Sequence, residues 1–161
     1  QGINVYPIQR LKTCRELHLL EFKMITTKEI TKLNKGTRPE KYVRRVLINM
    51  NYKNYRLNKR SLPGTPDIVF ENLKKVIFVH GCFWHRHACT RSSIPKKNNK
   101  HWESRLQSNQ NNDLLNCLKL AILGYDICII WECETTISNY SNIEDKLAQY
   151  LSSDQSFVYI G

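Results

Sequence analysis

Two β-branched runs, Ile68-Val69-Phe70 and Val76-Ile77-Phe78-Val79, stand either side of the polar stretch Glu71 to Lys75 and constrain this chain more than any other feature. Short apolar runs bounded by turn residues read as the two strands of a hairpin. The turn-forming Leu62-Pro63-Gly64-Thr65-Pro66 precedes the first run, so Asp67 sits at its start and His80 just past the end of the second. The next nine positions, Gly81-Cys82-Phe83-Trp84-His85-Arg86-His87-Ala88-Cys89, have no sustained periodicity and too many polar groups for a core strand. Such a segment needs something other than packing to hold it, and its residue types point to a metal.

Around this centre the chain alternates helix and strand. Thr37-Arg38-Pro39-Glu40 is a helix start: Thr37 can cap, Pro39 suits the first turn, and Glu40 falls where a capping-box carboxylate belongs. Val43, Val46, Leu47 and Met50 follow at helical spacing, and Tyr52 to Asn58 alternates as a strand. Beyond Cys89 a polar, basic loop leads to a long helical pattern from about Lys100 to Leu123. Trp102, Leu106, Leu114, Leu115, Leu118 and Ala121-Ile122 form its apolar face, and Gly124 ends it. Tyr125 to Trp131 reads as a buried strand with Glu132 and Cys133 at its end. Ile143 to Leu151 reads as a final amphipathic helix and Phe157 to Ile160 as a closing strand. The alternation predicts an α/β layered fold with a mixed central sheet.

A length of 161 residues suits one domain, placed at residues 37–161. Residues 1–23 read as an N-terminal extension, with Leu11, Leu17 and Leu20 on one side of a short helix, and residues 24–36 as a basic arm. With 25 Lys+Arg against 14 Asp+Glu the net charge is +11, which favours a polyanionic partner, most commonly nucleic acid. No apolar run approaches the roughly 18 residues that span a bilayer, and no secretory pattern opens the chain. We therefore expect a soluble, intracellular protein whose six cysteines are thiols or metal ligands.

Cys82, His87 and Cys89 form a Cys-x4-His-x-Cys cluster of zinc-type donors. Four such donors make a closed, structural site with no position left for water. Spacing alone leaves the fourth open among Cys133, Cys117 and Cys128, the last two at positions where a reduced core cysteine is ordinary. Phe83 and Trp84 stand side by side within this cluster, where both cannot easily be buried. Glu40, taken alone, is best read as a cap.

The segments SLPGTPDIVF and VIFVHGCFWHRHAC, a tryptophan about a dozen residues on, and then IIWEC resemble the very-short-patch-repair (Vsr) mismatch endonuclease family from roughly Thr37 to Cys133. The resemblance implies a restriction-endonuclease-like three-layer fold with a structural zinc. It also implies Mg2+-dependent nicking of DNA 5′ to the thymine of a T:G mismatch, the lesion left by deamination of 5-methylcytosine. The partners it implies are mismatched double-stranded DNA, mismatch-repair proteins and a cytosine-5 methyltransferase acting on the same site. The setting it implies is a monomer in a bacterial-type cytoplasm, associated with the nucleoid.

By the same resemblance Asp67 is the metal-binding carboxylate. The second acid and the lysine of the wider PD-(D/E)xK motif have no counterpart, because Val79-His80-Gly81 occupy that strand, so the Val79 backbone carbonyl would serve instead. His85 would be the general base, His80 and Asp113 supporting catalytic residues, and Glu40 a reach from the first helix to the hydrated Mg2+. Cys133 would complete the zinc set. Phe83, Trp84 and Trp102 would wedge beside the mismatch, and Lys96, Lys97, Lys100 and Arg105 would hold phosphates. The family's Arg-Ser-x-Asn-Met arm is missing; Lys28 to Leu33 stands there, with Ile30 or Leu33 in place of its methionine. Two other readings compete: a restriction-type endonuclease that needs no mismatch, and a non-catalytic zinc-stapled DNA-binding module. Asp67, His85 and Glu40 argue against the second, since a pure binder gains nothing from carboxylates beside phosphates.

Overall fold

A computed structural model describes residues 35–161. The extension at 1–23, and the arm with Ile30 and Leu33, lie outside the described residues. Five strands form one mixed sheet in chain order: β1 (Arg56–Leu57), β2 (Ile68–Phe70), β3 (Lys75–His80), β4 (Asp126–Trp131) and β5 (Phe157–Ile160). The expected hairpin is present, with β2 and β3 antiparallel and Ile68 opposite Ile77; β1 joins β2 antiparallel. β3, β4 and β5 run parallel, with β4 and β5 each reached through a helix, and His80 lies level with Trp131.

Helices cover both faces of the sheet. Helix α1 (Arg38–Asn49) and helix α3 (Tyr140–Ser152) pack Val43, Val46, Leu47, Ile143 and Leu147 against Ile68, Phe70, Ile77, Cys128 and Ile130. Helix α2 (Asn99–Ile122) lies on the other side, where Leu120 meets Val69, Val76, Phe78, Ile127 and Ile129. The alternation of strand side chains between faces produces this division, and each fully buried aliphatic contributes roughly 1.5–3 kcal/mol. Three layers around a mixed sheet fit a restriction-endonuclease-like fold. Helix α1 begins as its sequence predicts, with Pro39 in the first turn and a capping box between Thr37 and Glu40. No helix among the described residues is long and apolar enough to cross a membrane.

Three expectations need correction. Only Arg56–Leu57 of the proposed 52–58 strand is extended in the sheet. Tyr52 and Tyr55 instead turn edge-on to Phe70 and cover the end of the core. His80 is the last residue of β3 and not just past it. The apolar face assigned to the long helix is misplaced: Leu114, Leu115, Leu118 and Ile122 are exposed, the last by 84%. The less exposed stripe, which faces the sheet and the 83–84 loop, is Trp102, Leu106, Asn109, Asp113, the neighbours Asn116 and Cys117, and Leu120, on one helical face. Its middle is polar because it faces a polar pocket, so hydrophobicity alone picks the wrong side.

Candidate active site and metal centre

The hairpin pairing stops at Ile68 and Ile77, which leaves the edge of β3 beyond that point facing the turn that delivers Asp67. There the Val79 N–H donates to Asp67 Oδ2 at 2.7 Å. A strand residue directs its N–H and C=O to the same neighbour, so the Val79 carbonyl also faces the Asp67 side. Burial lifts the Asp67 carboxyl to about 6, helped by the charge of Glu40 and opposed by the Val79 N–H, Arg44 and His85. Arg44, only 1% exposed, holds Glu40 in place. Its Nε donates to the Glu40 carbonyl at 3.1 Å, and a guanidinium nitrogen lies 3.5 Å from Oε2. Glu40 Oε1 accepts from both the backbone and the hydroxyl of Thr37. Glu40 is thus a helix cap that also acts electrostatically on Asp67.

His80 and His85 are stacked, ring centroids 3.8 Å apart and 9° from parallel. Trp131 meets His80 edge-on at 5.5 Å. Burial drives His80 down to about 4, with His85 adding and Asp113 opposing, so it is neutral at neutral pH. His85 Nδ1 lies 2.5 Å from Asp113 Oδ2. A carboxylate there places the proton on Nδ1 and leaves Nε2 as the acceptor of the ring. Asp67, Val79, His80, His85 and Asp113 line one pocket, completed by Gly64, Phe78, Asn116 and Cys117.

Beside this pocket, Cys82, His87, Cys89 and Cys133 converge as a candidate metal centre. His87 Nδ1 is 3.7 Å from Cys82 Sγ and 3.3 Å from Cys133 Sγ. Zinc bond lengths of about 2.3 Å to sulfur and 2.05 Å to nitrogen imply roughly 3.5 Å between tetrahedral ligands, so the donors fit. Cys133 reaches the loop because β4 ends level with β3 and a short 3-10 turn, Glu132–Glu134, follows at once. Cys117 lines the other pocket, and Cys128 is fully buried in β4. Glu132, which the sequence did not single out, accepts the Cys82 N–H. The His87 ring stacks on Trp131 at 4.3 Å, so one tryptophan touches both the metal cluster and His80.

Phe83, Trp84 and Trp102 form an edge-to-face cluster with centroids 5.2 to 6.1 Å apart. Trp84 remains 45% exposed. The Arg105 guanidinium stands over it at 5.5 Å, and Asn109 donates to its carbonyl at 3.1 Å. Lys96, Lys97 and Lys100 are exposed on the loop into α2 and its first turn. Asn109 and Asn116 were missed in the sequence, and Cys117, weighed there as a metal ligand or a core cysteine, lines the catalytic pocket instead. The signal that finds them is their three- and four-residue spacing from Asp113.

A three-layer α/β fold that brings a carboxylate and a stacked histidine pair into one pocket, beside a Cys3His cluster, has the build of a nuclease. The model of the DNA mismatch endonuclease Vsr family matches residues 25–91. Over 118 residues the chain is 40% identical to the type II nicking enzyme V.XorIIP of Xanthomonas oryzae pv. oryzae, covering 73% of this chain and 85% of that protein. It is 39% identical over 101 residues to the type II nicking enzyme V.NmeAIP of Neisseria meningitidis serogroup A, with 63% and 71% covered. It is 38% identical over 79 residues to the DNA mismatch endonuclease Vsr of Escherichia coli K12, covering 49% of this chain and 51% of that protein. The chain belongs to the Vsr family of DNA endonucleases.

Proposed function

We propose that this protein nicks one DNA strand 5′ to the thymine of a T:G mismatch, using Mg2+ at Asp67 and a structural Zn2+ at Cys82, His87, Cys89 and Cys133. The observation that carries the reading is the His85–Asp113 contact at 2.5 Å, in the pocket that also holds Asp67. An imidazole oriented by a carboxylate and facing a metal-binding acid is what phosphodiester hydrolysis needs.

The donors suit Mg2+, which favours carboxylate, carbonyl and water oxygens: Asp67 and the Val79 carbonyl would hold it, with Glu40 reaching its hydration shell. Bound there it would neutralise charge developing on the attacked phosphate. His85 Nε2 takes the proton of the attacking water, while Asp113 fixes the ring through Nδ1. His80, neutral and buried, holds the plane of that ring by stacking. The Cys3His donors fit Zn2+ and fasten the loop that bears His85, Phe83 and Trp84.

Trp84, exposed and backed by Phe83 and Trp102, would enter the base stack. Stacking is worth about 1–3 kcal/mol per base, against an unstacking cost of a few kcal/mol that a mismatch reduces. Lys96, Lys97, Lys100 and Arg105 would bind phosphates. Relatives named nicking enzymes support a single-strand cut. Mismatch-repair proteins and a cytosine-5 methyltransferase are the partners this role implies. The test is to map products on matched and T:G duplexes at nucleotide resolution. A single break 5′ to the mismatched thymine is expected, and equal cutting of matched DNA would replace this reading with a restriction-type nuclease.

A further inference from the structure

His85 carries the proposed proton transfer, yet it sits on an irregular loop and not on a helix or strand. Asp113 holds one edge of its ring, and His80 lies flat against its face. Whatever keeps His80 still therefore limits how far the base can tilt. His80 ends β3 and is 7% exposed. Phe78, two residues earlier and so on the same face of the strand, meets its ring at 5.6 Å and 52°. Trp131 meets it edge-on at 5.5 Å and 72° from the neighbouring strand. Trp131 is not among the residues that line the pocket of Asp67 and His85. We infer that Trp131 is a positioning residue for the reaction, which acts through His80 to hold the plane of His85. The inference rests on the function proposed above.

Trp131 suits this task because it is itself held from several sides. His80 and Trp131 are paired in register, so both side chains leave the sheet on the same face. The His87 ring lies on the indole at 4.3 Å and 9° from parallel, and His87 belongs to the Cys3His cluster. From beyond β5 the backbone at Gly161 closes on the same indole: a Cβ there would lie 2.7 Å from Cδ1, so a side chain has no room. A wide aromatic can meet one neighbour by stacking and another edge-on. An aliphatic side chain at this position would fill space but would brace neither imidazole.

The effect on rate is geometric. A displacement of about 1 Å at a reacting group can cost on the order of 10²-fold. Asp113 still holds the other side of the His85 ring, so loss of the brace should cost less, about tenfold.

The test replaces Trp131 in the full chain by Leu, which stays apolar, and by Phe, which keeps a flat ring. Trp131→Leu should lower single-turnover nicking about tenfold, with duplex affinity and bound metal as in the parent. Trp131→Phe should recover most of that loss. Without DNA or Mg2+, the ring-proton resonances of His85 should move in Trp131→Leu, because the His80 ring that shields them loses its place. A double-mutant cycle follows the route: in a His80→Ala background, Trp131→Leu should have almost no further effect on the rate. A loss as large there as in the parent background would overturn the action through His80. Loss of the bound metal, or an equal loss of affinity, would make Trp131 a support of the metal centre or of the DNA surface and overturn the inference. Parental nicking by Trp131→Leu would overturn it and leave the nicking reading intact. A parent that cuts no duplex would sink the nicking reading, and this inference with it.

Discussion

His85 Nδ1 stands 2.5 Å from Asp113 Oδ2, across 28 residues of sequence. The contact joins the loop 81–89, which carries three of the Cys3His donors, to helix α2, and it fixes which nitrogen of the imidazole points into the pocket. The chemistry proposed here depends on that orientation.

Removing the base should therefore reduce the rate without weakening DNA binding. His85→Ala should lower single-turnover nicking by about 10²- to 10⁴-fold. Asp113→Asn should lower it by less, because the ring remains but loses its orientation. Duplex affinity, measured separately, should hardly move in either variant; an equal fall in affinity would assign the pair a structural role.

Asp67 and His80 should tilt the pH dependence of stability in opposite directions. The Asp67 carboxyl rises from 3.8 to about 6 on folding, so the folded state binds the extra proton and this contribution to stability falls as pH rises through that interval. His80 drops from 6.5 to about 4, so the unfolded state binds the extra proton and stability rises with pH. In Mg2+-free buffer, relative to the parent, Asp67→Asn should make Tm climb more steeply between about pH 4 and 6.5. His80→Asn should make it climb less or fall. Slopes displaced in the same direction would contradict these environments.

Cys133→Ser should bring the zinc content of purified protein well below one per chain. It should also loosen residues 81–89, read as faster amide exchange there. Unchanged zinc would remove Cys133 from the ligand set, despite its 3.3 Å approach to His87.

The aromatic cluster and the lysines should separate by salt dependence. Trp84→Ala should cost about 1–3 kcal/mol of affinity for mismatched duplex and leave the salt slope alone. Replacing Lys96 and Lys97 by Ala should weaken matched and mismatched DNA alike and flatten the slope by up to roughly 1.8, at about 0.9 per lost phosphate contact. A salt slope unchanged in the double lysine variant would remove these residues from the interface.

Legibility in the sequence followed the range of the interactions. The hairpin could be read because β-branched runs and a polar turn are local, and the start of α1 because Thr37, Pro39 and Glu40 sit within one turn. The four-donor cluster was three-quarters legible, since Cys82, His87 and Cys89 are close in sequence. Cys133 is distant, and only the parallel pairing of His80 with Trp131 brings it near. The face of α2 was misread because Asn109, Asp113 and Asn116 are polar residues on the side that meets the sheet. Leu115, Leu118 and Ile122, on the far side, satisfy the same helical period. Arg44 carried no signal in the sequence, although its guanidinium is buried against Glu40.

The most direct measurement compares the parent with Asp67→Ala on matched and T:G-mismatched duplexes, each with and without Mg2+. Nicking is expected of the mismatched duplex alone, by the parent alone, and only with Mg2+. Nicking that survives in Asp67→Ala, or DNA binding with no cutting by the parent, would contradict it.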